Sequence, residues 1–276
     1  MSEPPKIEPA IAEPSTTEPS TSRPADAIAR AATPRRRVLS QGAFETRLIL
    51  RNGEQLLVTL ILPALLLVAL ARTSMFELDL AGARRIDVVT PGILTLAVMS
   101  TAFTSQAITT SFDRRNGVLR LLATTPLGRG GLLAGKVLAV LTVEAVQLVV
   151  LGGVALALGW EPRPAGLAPA LLAIACGTAA FTSLALLLAG VLRAEAVLAV
   201  ANLLLVLLAV AGGALVSVAQ LPGALAHVAP LLPSGALGEA LRGALVHGSM
   251  PLGPVLVLAA WTVVLSWSAA RFFRWS

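Results

Sequence analysis

Long apolar runs separated by short polar connections organise the chain from residue 56 to its end. Six of them approach the ~20 residues that cross a bilayer as helix, at 56–71, 88–111, 137–160, 167–192, 196–219 and 252–270. The first is short and contains Pro63. Its reach of roughly 24 Å at ~1.5 Å per residue requires flanking residues or a locally thinned bilayer. Ahead of it, residues 35–55 begin with Arg35, Arg36 and Arg37. Leu39, Ala43, Phe44 and Leu48 then recur near helical spacing among Glu45, Arg47 and Arg51. Periodicity admits two readings, a basic amphipathic helix in the membrane interface or a polar extension of the first span. Residues 1–34 are rich in Pro, Glu, Ser and Thr, a composition that buries too little apolar surface to fold, so a disordered tail is expected. No short apolar core with a cleavage site marks a signal peptide.

Two connections break the pattern. Residues 220–251 are too apolar for a surface loop and carry Pro222, Pro230 and Pro233. Ser234 can cap a helix over 234–246, with Leu237, Leu241 and Leu245 on one face. Backbone at membrane depth survives only when buried or facing a cavity, so a re-entrant helical hairpin is expected between the last two spans. Residues 113–136 hold Arg114, Arg115, Arg120, Arg129 and Lys136 against Asp113 alone, yet enclose an apolar turn of Val118, Leu119, Leu121 and Leu122. That is more than a connection needs.

Composition fixes the class. Of 276 residues, 56% are hydrophobic and 13% charged, against about 25% charged in soluble domains. The chain reads as an all-α polytopic membrane protein. The net charge of +6 fits basic cytoplasmic loops, and no basic stripe with interleaved aromatics points to nucleic acid. With the N-terminus inside, cytoplasmic segments hold Arg35–Arg37, Arg47, Arg51, the basic residues of 113–136, Arg193, Arg271 and Arg274. The outside keeps only Arg72, Arg84, Arg85, Arg163 and Arg242. Both termini and segment 113–136 are therefore expected in the cytoplasm. The single cysteine, Cys176, and the distant His227 and His247 support neither a disulfide nor a metal cluster.

Candidate chemistry is sparse. Gly130-x-x-x-x-Gly135-Lys136 resembles a phosphate loop but has Val137 where a hydroxyl should reach magnesium, and it follows no strand. ATP binding on this chain is not expected. Glu144 and Gln147 share a face of the third span, and Thr101, Thr104 and Ser105 line one side of the second. Asn202 sits in the fifth. These read either as helix–helix hydrogen bonds or as the polar wall of a translocation path. Gly152-Gly153 and Gly212-Gly213 suit close helix approach.

Gly117-Val118-Leu119-Arg120-Leu121-Leu122-Ala123-Thr124-Thr125-Pro126, followed by Leu132-Leu133-Ala134-Gly135-Lys136, resembles the cytoplasmic signature of ABC-2 type exporter permeases, closest to the multidrug and daunorubicin-resistance group. Arg51 before an apolar run with Pro63, and Leu232-Pro233 through Glu239 and Arg242, resemble the family's first-span entry and its segment before the last span. The chain departs from the family in a more basic loop, with Arg115 and Arg120 where acids are frequent and Val118 where threonine is common. The resemblance implies a domain over 56–276 that transports a small molecule, such as an amphipathic drug or lipid, across a bacterial plasma membrane. It implies a permease working with a second copy or similar permease among membrane lipids, and a separate ABC ATPase subunit that carries ATP and magnesium. Asp113, Arg114, Arg115, Gly117, Val118, Leu119, Leu121, Leu122, Thr125, Pro126 and Lys136 would then form the coupling segment, and Pro233, Glu239 and Arg242 an extracellular gate. A channel, a scaffold or a membrane-embedded enzyme are the rival classes, though no filter sequence or catalytic cluster favours them.

Overall fold

The computed structural model describes residues 32–73, 84–215 and 221–273. The expected tail, apart from its last residues, lies outside them. Every regular element among the described residues is helical.

Helix α1 spans Pro34–Arg51 and buries Gly42, Glu45, Thr46 and Ile49, a stripe at helical spacing that packs along a later helix, α5 (Gly128–Ala157). It stops at Asn52, whose extended backbone interrupts the ladder and whose Oδ1 accepts from the Gln55 amide. A side chain that takes an orphan N–H of the first turn starts a new helix. Residues before the first span thus form a separate helix rather than its extension.

Helix α2 covers Gly53–Arg72. It widens to a π-turn over Leu57–Ile61, where the Leu62 amide reaches back to Leu57 O. The cause follows directly. Pro63 has no N–H to give Thr59 O, four residues earlier, and its ring crowds that carbonyl. The freed carbonyl accepts instead from the Gln147 side chain on α5. Such repair by a neighbouring helix is what makes proline tolerable in a membrane helix.

Helix α3, Arg85–Arg115, is the centre of the molecule. Its most apolar window is 83% buried, against 17% for α2. A π-stretch over Met99–Ser105 interrupts it. The short α4, Val118–Ala123, follows Gly117, whose φ of 74° is costly for any side-chain-bearing residue. Helix α5 begins nine residues before the predicted third span. Lys136 therefore lies inside a helix, not in a loop.

Helices α6 (Pro164–Val191) and α7 (Ala194–Val210) follow. Helix α7 stops short of the predicted end at 219, and its 17 residues reach roughly 26 Å. Among the described residues five helices are long and apolar enough to cross a membrane, with α7 a shorter apolar one. Between α7 and the last helix stand α8, Leu225–Val228, and α9, Pro233–His247. The final helix, α10, is Leu252–Phe272.

Helix α9 is buried along most of its length, including Leu237, Leu241 and Leu245, against α6, α3 and α10. Ser234 does not cap it. Pro233 holds the first position, where its missing N–H costs nothing, and Ser234 is buried facing Gly212 O at 3.5 Å. A Cβ on Gly212 would stand 2.0 Å from Ser234 Oγ, so this glycine does serve close approach. A Cβ on Gly152 or Gly153 would meet nothing within 4 Å among the described residues.

Candidate functional site

The predicted coupling segment folds into an amphipathic turn held by charge. At the end of α3, Asn116 N closes on Phe112 O at 2.8 Å, and the left-handed Gly117 reverses the chain into α4. The four apolar residues of α4 part company there. Leu119 is 1% exposed and belongs to the chain's own interior, whereas Val118 is exposed and Leu121 is 69% exposed. Leu122 is half-buried. Thr124 and Thr125 Oγ1 donate to Leu121 O at 2.7 Å and Leu122 O at 2.6 Å, satisfying the last carbonyls of α4. Pro126 follows, and its own carbonyl accepts from Arg37 Nη1 at 2.6 Å, which fastens the turn to α1.

The charges flanking this turn are engaged within the chain. Lys136 is 2% exposed. Its Nζ lies 2.8 Å from Asp113 Oδ2 and 3.1 Å from Glu45 Oε2, while Gln41 Nε2 donates to the other Glu45 oxygen at 3.0 Å. One ammonium thus joins α1, α3 and α5. Arg114 donates to Leu192 O at 2.5 Å, and Arg115 pairs with the exposed Glu195 at the start of α7. Arg114 thereby satisfies a carbonyl left open just past the end of α6, whereas the Arg115–Glu195 pair stands in solvent. Gly130, Gly135 and Lys136 of the glycine–lysine motif lie within α5, and the ammonium is held by two carboxylates.

The six predicted path residues separate into three groups. Thr104, Ser105 and Asn202 line a crevice of about 330 Å³ between α2, α3 and α7, together with Asn52, Gln55 and Thr109. Gln55 donates to Ser105 Oγ across it, and Asn202 donates to Leu198 O at 2.8 Å. Thr104 Oγ1 is buried and has no partner among the described residues. Thr101 is buried on the same π-stretch but does not line the crevice. Glu144 and Gln147 lie elsewhere on α5. Glu144 accepts from Thr178 Oγ1 of α6 at 2.6 Å, and Gln147 serves the carbonyl freed by Pro63.

On the other side of the molecule, Arg242 of α9 is 7% exposed and donates to Gly213 O at 2.7 Å and Ala214 O at 3.2 Å, just past the end of α7. Glu239 sits one turn away, 3.0 Å from its Nη2. Arg242 thereby caps the turn that follows α7. Pro233 begins α9 and does not join this pair.

Glu45, Gln41, Gln55 and Thr178 were not singled out from the sequence. Glu45 was the one with a signal, as the single acid in an otherwise basic helix.

A bundle of long apolar helices around one buried, hydroxyl-bearing helix defines a polytopic membrane protein. The sequence matches the ABC-2 type transporter family over residues 39–246, and the chain belongs to that family. Among curated proteins none matches it. It is accordingly a multi-pass permease subunit of an ABC-type transporter, a transport component that is not itself catalytic, and the family implies association with an ABC ATPase.

Proposed function

We propose that this permease exports amphipathic drugs or lipid-like molecules from a bacterial cytoplasm or inner leaflet, driven by an ATPase that grips α4. In this reading α7 completes six spans, both termini are cytoplasmic, and α8 and α9 form a hairpin re-entering from outside. Residues 1–34 are a cytoplasmic tail, 35–55 an interfacial segment whose helix, α1, ends before Asn52, and 56–276 the transmembrane domain. Two permeases work together, and ATP and magnesium belong to the partner. The α2–α3–α7 crevice, with its unpaired Thr104 hydroxyl, belongs to the substrate path, and Glu239 with Arg242 stands at its outer end.

The exposed apolar side of α4 carries this reading. Val118 and Leu121 stand in water on a six-residue helix whose base is tied to α1, α3 and α5. Apolar anchors on a short helix suit a groove in a second protein. The rigid base lets a push on α4 tilt the spans between two packings a few kcal/mol apart. Substituting Val118→Asp and Leu121→Asp together should abolish capture of the ATPase subunit and substrate-stimulated hydrolysis while the permease still inserts and folds. Unchanged assembly and stimulation would remove the coupling role.

A further inference from the structure

Helix α1 has a second face that the proposed function leaves unused. Arg36, Arg47 and Arg51 fall within ~60° of one another on the helical wheel at ~100° per residue, and all three are exposed. Apolar side chains flank this stripe on both sides: Phe44, 57% exposed, with Leu48, and across from them Leu39 with Leu50. The one acid of α1, Glu45, is buried on the opposite face and held by Lys136. No ion pair or hydrogen bond joins Arg36, Arg47 or Arg51 to any described residue. The outward face is therefore purely cationic, with greasy margins.

Such a face fits neither bulk water nor hydrocarbon. Water would leave four large apolar side chains uncovered, and the bilayer core would strand three guanidiniums. Headgroup depth satisfies both, with side chains dipping into the acyl boundary and guanidiniums among phosphates, which they bind as planar forks. Arg47 and Arg51 stand at the end of α1 that adjoins Gly53, the first residue of the span α2. A soluble protein surface is sterically disfavoured at that position.

We propose that the Arg36–Arg47–Arg51 face of α1 is a binding site for anionic phospholipid headgroups of the cytoplasmic leaflet. This rests on the interfacial placement of α1 proposed above. Because Lys136 and Arg37 tie α1 to α3, α5 and the turn after α4, headgroup binding steadies the end of the molecule that α4 projects from.

The test uses full-length permease in neutral detergent, titrated with short-chain phosphatidylglycerol or phosphatidylcholine and followed by thermal unfolding. Phosphatidylglycerol should stabilise it and phosphatidylcholine should not. R36Q/R47Q/R51Q should weaken the phosphatidylglycerol response on the order of a hundredfold, at about fivefold per basic residue near an anionic surface. Its lipid-free midpoint should match the parent, since these arginines hold no described internal contact. Equal responses to both lipids, or an unaltered response in the triple variant, overturn the proposal. Loss of ATPase capture by the triple variant without lipid also overturns it, by assigning the face to a protein. A nitroxide at Phe44→Cys, in a Cys176→Ala background, reports the underlying placement separately. Accessibility to oxygen above that to aqueous nickel supports the interface, and the reverse removes the placement itself.

Discussion

The α1–α3–α5 junction and the α2–α3–α7 crevice both gather polar side chains around α3, and they treat them in opposite ways. At the junction, Lys136 meets two carboxylates, and Gln41 takes a further Glu45 oxygen. In the crevice, Thr104 Oγ1 has no partner among the described residues, and Asn202 turns back on its own helix. Buried polar groups that are fully paired lock one arrangement, whereas those left open invite a ligand or a change of packing. The junction suits a rigid transmission block, the crevice a surface that meets something transient.

The sharpest way to break this contrast is Lys136→Met. It strands two carboxylates, and loss of one partner from a buried ion pair costs about 3–5 kcal/mol. The thermal midpoint of the purified permease should fall steeply. The triple variant Glu45→Gln, Asp113→Asn, Lys136→Met should recover most of that loss, and failure to recover would mean the cluster does more than balance charge.

Gln147→Leu should cost less, about 1–3 kcal/mol, because it orphans the Thr59 carbonyl. In a Pro63→Ala background the alanine N–H can take that carbonyl, so the same substitution should become nearly silent. A full cost in both backgrounds, measured as a double-mutant cycle, would disprove the proline-repair account.

The smallest stability effects belong to the crevice. Thr104→Val removes a hydroxyl with no described partner and should change the unfolding free energy by less than about 0.5 kcal/mol. Ser105→Ala loses one neutral hydrogen bond, worth about 1 kcal/mol. Both should nonetheless alter vesicle transport of amphipathic dyes. Stability losses like that of Lys136→Met would make the two regions alike after all.

The helices were legible because apolar run length and turn residues are local signals, and the break before the first span could be read as one of two options. What escaped was set at a distance. Nothing near Lys136 announces Glu45, which precedes it by 91 residues. Pro63 announced a defect but not that Gln147 would mend it. Leu119 and Leu121 are chemically identical neighbours on a six-residue helix, and only the packing of α4 against α3 and α5 decides which one faces inward. The π-stretch of α3 carries no proline in it or in the turn that follows, so nothing in the sequence marked it.

The break at Asn52 has a mechanical meaning. Helices α1 and α2 share no continuous hydrogen-bond ladder, so they behave as two levers with a common pivot. The first is bolted to α5 by an ion cluster, the second pinned to α5 by Gln147 and to α3 by Gln55. A displacement of α5 would pass to α1 through the ion cluster, while α2, hydrogen-bonded by Gln147 to α5 and by Gln55 to α3, would share its motion between them. The joint would thus work as a differential, feeding one input to a stiff arm, α1, and to a more compliant arm beside the crevice.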